Sequence, residues 1–329
     1  MTRSALVVAD DLTGAMDTGH GFAARGHPTT VAVGADGARP EEGVLVVNTD
    51  SRYLPPDEAR VAVERVVRDT PARTVYKKVD STLRGNLVAE IAAALDASGG
   101  DVALVAPAFP AGGRLTACGY HLVGGALVTD TAAGRDPDKP VRSSHLPTLL
   151  GGGEHAVDRV GVETVANGAD AVADAIVAAD GRVLACDAVH DDHLAALARG
   201  AGRSGREVVY VGSAGLAGAL ELADERESGT APGAERARDT DAPGPAGPRV
   251  LGIAGSASPT TLEQLRAVPD GRVVRLDAGR AAVDPAAAAA EAAERAFEVL
   301  EGVGSVVVAS VAEEGDVDRT LRAGRDAGV

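Results

Sequence analysis

Short apolar, largely β-branched runs recur along the chain: Leu6 to Ala9, Val44 to Val47, Val102 to Ala106, Val208 to Val211, Val250 to Ala254 and Val306 to Ala309. Most give way to Gly, Asp or Ser and then to an Ala/Leu-rich stretch of helical character. Runs of this length without strict polar alternation are buried on both faces, and their alternation with helices predicts an α/β fold of largely parallel sheets flanked by helices. In such sheets ligands bind beyond the carboxyl ends of the strands. The residues just after each run are therefore where chemistry is to be sought.

The pattern breaks between Glu225 and Pro248 (ERESGTAPGAERARDTDAPGPAGP), which is rich in Pro, Gly and charge and poor in apolar residues, as an exposed linker is. It predicts two domains, residues 1–225 and 249–329, joined by a linker over 226–248. The second reads strand, helix, strand, helix, strand and a polar tail. Its helix from Pro285 to Leu300 has an Ala-rich face in need of cover, so this domain is expected to be incomplete.

Composition narrows the function classes. The 329 residues carry 32 Lys and Arg against 48 Asp and Glu, a net charge of −16, with only four Tyr, three Phe and no Trp. A nucleic-acid groove needs a basic stripe and stacking rings, and an anionic membrane surface repels such a chain, so neither is expected as a partner. A small anionic substrate in a local cationic pocket is compatible with it. Cys118 and Cys186 have neither disulfide-framework nor zinc spacing. The first residues lack the form of a secretory signal, and no apolar run approaches the ~20 residues of a membrane span, so a reducing cytoplasm is expected.

Four polar clusters follow strands. In ADDLTGAMDTG (9–19), Asp10 and Asp11 are adjacent at a strand end, with Thr13, Gly14 and Asp17 behind them. Two such carboxylates repel unless a cation, a proton or a hydroxyl ligand lies between them, which suits a general base or a sugar-hydroxyl acceptor; Asp11 could equally cap the following helix. KKVDSTLRGN (77–86) spends Lys77 and Lys78, two of only three lysines, beside Asp80, Ser81, Thr82, Arg84, Gly85 and Asn86. A guanidinium can hold a carboxylate in a two-point fork while Asp, Ser and Asn bind hydroxyls, a combination suited to a sugar acid rather than to a solvated turn. PAFPAGGRLTACGYH (107–121) offers Arg114, Thr116 and His121, and stays open between a site loop and a rigid surface loop. GIAGSASPTTLEQL (252–265) is strand, Gly-Ser turn and helix, with Ser258 as cap and Pro259 at the first helical position, where a nucleotide phosphate could dock; GSAGLAGAL (212–220) has the same shape.

Other matches fail. Neither the Walker pattern nor G-x-G-x-x-G occurs, and Val211 and Ala254 spoil a nucleophile elbow at Ser213 and Ser256. His190-Asp191-Asp192-His193 reads as a solvated first helical turn rather than a metal cluster. Asp316-Val317-Asp318-Arg319-Thr320 reads as a polar helix start rather than an aspartyl-phosphate motif.

Taken in order, ADDLTGAMDTG, KKVDSTLRGN, PAFPAGGRLTACGYHLV, TDTAAGRDPDKPV (129–141), VGSAGLAGAL and IAGSASPTTLEQL resemble the four-carbon acid sugar kinase family. The resemblance covers residues 4 to 265 and implies a sugar-binding N-terminal domain and a nucleotide-binding C-terminal domain. It implies a transferase of carbohydrate metabolism that uses ATP with Mg²⁺ to phosphorylate the 4-hydroxyl of a 3-oxotetronate, threonate or erythronate. It assigns Asp10, Asp11 and Arg84 to catalysis, with Asp17, Lys78, Asp80, Ser81, Gly85 and Arg114 to substrate binding. Gly255, Ser256 and Ser258 fall on the nucleotide side, and no metal ligand is assigned. Family members continue into a Gly-Gly-Asp-Thr loop and a Lys-Ser-Gly segment that nothing after Val306 matches. A truncated second domain, and with it a non-catalytic sugar-acid-binding remnant, is the alternative expectation; an aspartyl-phosphate hydrolase is the other, disfavoured because no second acid lies two residues after Asp10 or Asp11.

Overall fold

A computed structural model describes residues 3–33, 40, 42–222, 249–255, 259–269 and 271–310. The first apolar run is β1 (Arg3–Ala9), and the chain then alternates as its pattern predicts: α1 (Leu12–Ala24), β2 (Thr29–Val33), β3 (Val44–Asn48), α2 (Pro56–Asp69), β4 (Ala72–Lys78), α3 (Leu87–Ser98) and β5 (Val102–Ala106). A small antiparallel sheet interrupts it, β6 (Arg114–Ala117), β7 (Tyr120–Val123) and β8 (Ala126–Leu127). Alternation resumes with α4 (Leu146–Leu150), β9 (Val157–Val160), α5 (Val162–Ala166), α6 (Ala169–Ala178), β10 (Val183–Cys186), α7 (Asp191–Arg203), β11 (Val208–Gly212) and α8 (Ala214–Ala219).

Eight strands form one sheet in the order β2-β3-β1-β4-β11-β5-β10-β9, every pairing parallel. Successive side chains of β1 enter opposite cores: Ala5, Val7 and Ala9 pack with Phe22 of α1 and Ile176 of α6, while Leu6 and Val8 pack with Val63 of α2 and Ile91 of α3. Both faces are thus covered, which is why β1, β3 and β5 read as unbroken apolar runs. Removing each such Val or Leu from water is worth about 1.5–3 kcal/mol.

The same alternation sends the two neighbouring lysines apart. On β4 Tyr76 packs in the α1 core and Val75 in the α3 core; Lys78 follows Tyr76 toward α1, and Lys77, fully buried, follows Val75 toward α3. The two lysines, adjacent in sequence, are thus divided between two faces.

The third cluster is a hairpin rather than a loop. Thr116 pairs with His121 across a two-residue turn in which Cys118 (φ 52°) and Gly119 (φ 82°) are both left-handed, as the twist of a tight hairpin requires.

The chain forms two compact units, Met1–Ala231 and Pro232–Val329. In the second, β12 (Val250–Ala254), α9 (Pro259–Arg266), β13 (Val273–Arg275), α10 (Ala278–Val283), α11 (Pro285–Val303) and β14 (Ser305–Ala309) build a three-stranded parallel sheet in the order β12-β14-β13. The Ala-rich face of α11 finds its cover here: Ala292 and Ala296 pack on Val274 and Val306. The proposed linker 226–248 and the Asp316–Thr320 motif lie outside the described residues.

Candidate active site

β1 ends at the sheet's carboxyl edge with its two flanking neighbours, β3 and β4, beside it. The turns leaving these three strands converge. Asp10, 2% exposed, is gripped by Arg52 in a two-point fork, Nε donating to Oδ2 at 2.7 Å and Nη2 to Oδ1 at 3.1 Å. The same guanidinium reaches Asp11, Nη1 donating to Oδ2 at 2.9 Å, with Nη2 2.9 Å from Oδ1. One cation therefore bridges two adjacent carboxylates and relieves their repulsion. Burial lowers the Arg52 pKa, but the hydrogen bond and charge of Asp10, with Asp80 and Asp11 behind, win and hold the guanidinium firmly protonated.

Of the readings its sequence allowed, the structure places Asp11 as the cap of α1. Its Oδ1 accepts from Gly14 N at 2.9 Å and caps α1, while the carboxylate stays partly exposed. Lys78, 5% exposed, donates to Val79 O at 3.0 Å. Its ammonium and the Asp11 carboxylate both approach Gly14: a Cβ there would lie 2.8 Å from Lys78 Nζ and 2.6 Å from Asp11 Oδ1. Burial lowers the Lys78 pKa, opposed by Asp10, Asp11 and Asp80 and reinforced by Arg52.

The 80–86 turn closes the site. Burial pushes Asp80 up, but the Arg84 hydrogen bond, the charges of Arg52 and Arg84 and the Thr82 hydroxyl outweigh it and hold the carboxyl at about 2. Arg84 Nε donates to Asp80 Oδ2 at 2.6 Å, and its Nη1 lies 3.5 Å from Asp136 Oδ2. Gly85 (φ 99°) brings bare backbone against the fork, since a Cβ there would meet Asp10 Oδ2 and Arg52 Cγ, each at 3.3 Å. Leu83 also takes a left-handed φ of 65°, a conformation sustained by burial of its side chain.

The fourth region of the resemblance joins in through Lys139, whose ammonium donates to Asn86 Oδ1 at 3.0 Å and to Leu54 O at 2.8 Å. Asp136, held low by the Lys139 backbone amide despite some burial, receives the Tyr53 hydroxyl at 3.3 Å.

The hairpin docks through His121, fully buried. Its Nδ1 is 3.0 Å from Thr116 Oγ1 and its Nε2 is 2.9 Å from Ser81 O. Burial lowers its pKa, opposed by the bond to Ser81 and the charge of Asp80 and aided by the charge of Arg114. A neutral ring accepting from Thr116 and donating to Ser81 fits both contacts. Arg114 donates through Nη1 to Gly112 O, while its buried Nε has no partner among the described residues.

The structure thus brings Asp10, Asp11, Lys78, Asp80, Arg84 and Gly85 together, with Ser81 joined to the hairpin through its carbonyl. Asp17 is exposed on α1, and Gly255 is exposed at the end of β12 in the second unit. Ser256 and Ser258 lie outside the described residues. Asp191 and Asp192 fill the first turn of α7, as the reading of that segment expected. Arg52, the centre of the site, was not among the residues singled out in sequence, although it follows β3 where the strand-end rule points.

An acid pair, Asp10 buried and Asp11 partly exposed, served by one guanidinium at the carboxyl edge of a doubly wound parallel sheet lies where sheets of the α/β class bind small molecules. The sequence matches the family described as a sugar-binding N-terminal domain over residues 5–220, and the chain belongs to the four-carbon acid sugar kinase family. It is 44% identical over 225 residues to a D-threonate kinase of Bordetella bronchiseptica, covering 65% of this chain and 54% of that protein. It is 35% identical over 275 residues to a D-erythronate kinase of Heliobacterium modesticaldum (80% and 60%), and 34% identical over 298 residues to a 3-oxo-tetronate kinase of Methylobacterium radiotolerans (83% and 66%). The chain thus spans little more than half the length of the first of these relatives. Among solved structures, a Bordetella bronchiseptica domain of unknown function with bound citrate, a domain-swapped dimer, is 32% identical with a TM-score of 0.60, covering 97% of this chain and 78% of that one. A Haemophilus influenzae protein at 21% identity and TM-score 0.67, covering 98% and 81%, shares the fold.

Proposed function

We propose that this chain binds a four-carbon acid sugar, a threonate, erythronate or 3-oxotetronate, at the Asp10–Arg52–Asp11 site and presents its 4-hydroxyl for phosphorylation. The observation that carries the reading is the guanidinium fork on two adjacent carboxylates, in a family whose relatives named above are all kinases of such acids. Those names favour catalysis over a non-catalytic remnant.

Asp10 has both oxygens committed to Arg52 and is buried, so its part is to fix the guanidinium. Asp11 is the more exposed of the two and is the group to accept the hydroxyl proton. Lys78 places positive charge beside it. Arg114, with an unmet buried Nε donor, and Arg84 supply fork donors for the substrate carboxylate. Asp80, locked by Arg84 and Thr82, holds Arg84 in place. Gly85 keeps the backbone close enough for a small hydroxy acid to reach the pair.

ATP with Mg²⁺ supplies the phosphoryl group. Gly255 at the end of β12, with Ser256 and Ser258 after it, is the proposed place for nucleotide; among the described residues nothing lies within 4 Å of where a Cβ on Gly255 would sit. Among the described residues no group of three or more His, Cys, Asp or Glu gathers as a metal site; Mg²⁺ bound chiefly through nucleotide phosphates needs only one or two carboxylates. Residues 1–225 form the proposed sugar-binding domain, 226–248 a linker and 249–329 nucleotide-binding structure. No helix among the described residues is long and apolar enough to cross a membrane. A reducing cytoplasm, where Cys118 and Cys186 stay thiols, is the proposed location.

The test is a thermal-shift panel of tetronates, 3-oxotetronates, ATP·Mg²⁺ and their pairs, followed by ADP release. One acid sugar should raise the melting temperature, and its pair with ATP·Mg²⁺ should release ADP. In Asp11→Asn the shift by the acid sugar should persist while ADP release falls by about 10²–10⁴-fold, the usual worth of a general base. Undiminished release would remove Asp11 from the proton-transfer role, and no shift with any acid sugar would remove the substrate class.

A further inference from the structure

Beneath the acid pair lies a second charged pair that the proposed chemistry does not use. Lys77 and Glu90, on β4 and α3, are 0% and 1% exposed and meet at 2.9 Å, Nζ to Oε2. Lys77 spends its remaining donors on backbone, Lys78 O at 2.7 Å and Val8 O at 3.3 Å. The other oxygen of Glu90 accepts from Ser51 Oγ at 2.6 Å. Ser51, itself fully buried, lies 2.7 Å from Thr49 Oγ1, and Thr49 donates through both its hydroxyl and its amide to Ala9 O at 2.9 Å.

These contacts enclose the turn that carries Arg52. It leaves β3 through Asp50, a non-glycine residue at φ 52°, so the backbone there does not hold its own course by local preference. From the other side Asn86 Nδ2 donates to Ser51 O at 2.9 Å and Leu54 O at 2.9 Å, with Arg52 O at 3.3 Å. Arg52 N in turn donates to Asp10 O at 3.2 Å.

A fully buried ion pair is a poor device for stability, because desolvation offsets most of its attraction and an apolar pair of equal volume often does as well. Its worth is in what it fixes. We propose that Glu90, held by Lys77, is a positioning residue: through Ser51 it sets the 49–52 turn so that the Arg52 guanidinium meets Asp10 and Asp11 together. The consequence for acid-sugar binding rests on the site reading above; the consequence for Arg52 does not.

Two variants separate the possibilities. Ser51→Ala removes the link and leaves the ion pair intact. The double variant Lys77→Met with Glu90→Leu replaces the pair by apolar groups of similar volume, so no buried charge is stranded and folding is retained. In each, the exchange of the Arg52 Nε proton is followed by NMR on arginine-labelled chain, the signal being assigned by its loss in Arg52→Lys. In the native chain that proton is held by Asp10. The expected result is at least tenfold faster exchange in both variants, with melting temperatures within about 2 °C of the native chain, and a Kd for the acid sugar identified in the thermal-shift panel weakened about tenfold. Ser51→Thr, which keeps the hydroxyl, should retain slow exchange. Native exchange rates in both folded variants would overturn the proposal. A native chain that binds no acid sugar would instead overturn the site reading, and the exchange rates would still decide the role of Glu90.

Discussion

At the scale of single residues, the site shows how one carboxylate is held ionised by its neighbours against its own burial. Asp80 titrates at about 2 against an ordinary 3.8, burial pushing it up and the Arg84 hydrogen bond, the charges of Arg52 and Arg84 and the Thr82 hydroxyl pulling it further down. A carboxyl whose folded pKa lies below its unfolded one adds stability that is complete above the unfolded value and is lost as pH falls through the folded one. The contribution should therefore be full at pH 7, fade from about pH 4 and be gone near pH 2, and on the linkage relation it is on the order of 2 kcal/mol. Asp80→Asn should remove it: the gap in urea-unfolding free energy between variant and native chain should be present at pH 6 and should narrow toward pH 3. A gap of constant size across that range would mean that the Arg84–Asp80 contact contributes through packing and not through charge.

At the scale of elements, the start of α1 is where helix chemistry and site chemistry compete. Gly14 sits in the first turn, where Ala would ordinarily gain about 1 kcal/mol in helix propensity. Here its added Cβ would press on Asp11 Oδ1 and the buried Lys78 ammonium. Gly21, later in α1, meets only Arg25 Nη1 at 3.9 Å. Gly14→Ala should therefore destabilise the chain and weaken acid-sugar binding, while Gly21→Ala should stabilise it by about 0.5–1 kcal/mol; urea titrations of the two variants check both signs. Much at this scale was legible in the sequence. The six apolar runs are β1, β3, β5, β11, β12 and β14, the cap at Asp11 is present, and Pro259 and Pro285 each open a helix. What escaped was whatever depends on strand order. Arg52 lies 42 residues from Asp10 in the chain, and only the β3-β1-β4 adjacency brings them together. The doubled Lys77-Lys78 looked like one feature because their separation is a matter of which face of β4 each occupies. The hairpin at Cys118-Gly119 carries no Asn-Gly or Asp-Gly signature, so its left-handed turn had no signal in the sequence.

At the scale of the whole molecule, the acid pair, its fork and the buried Lys77–Glu90 pair all belong to the unit Met1–Ala231, and the second unit, Pro232–Val329, has a core of its own around Val274, Ala292, Ala296 and Val306. Two cores of very different extent imply two thermal transitions, the smaller unit melting first, since a smaller unit buries less of its surface. A ligand that binds the native form of one unit stabilises that unit by mass action, by about 2.7 kcal/mol at a concentration one hundred times its Kd. For a unit of roughly 200 residues this corresponds to a rise of about 5–10 °C. Scanning calorimetry with a saturating tetronate should accordingly move the upper transition by that amount and leave the lower one where it is, whereas ATP·Mg²⁺ alone should move the lower. The proposed acid-sugar residues run from Asp10 to Arg114 and the proposed nucleotide residues from Gly255 to Ser258, and the calorimeter reads that division directly. If a tetronate moved the lower transition, the acid-sugar site would have to draw on residues of the second unit, and the assignment of substrate binding to the Asp10–Arg52–Asp11 cluster alone would be wrong.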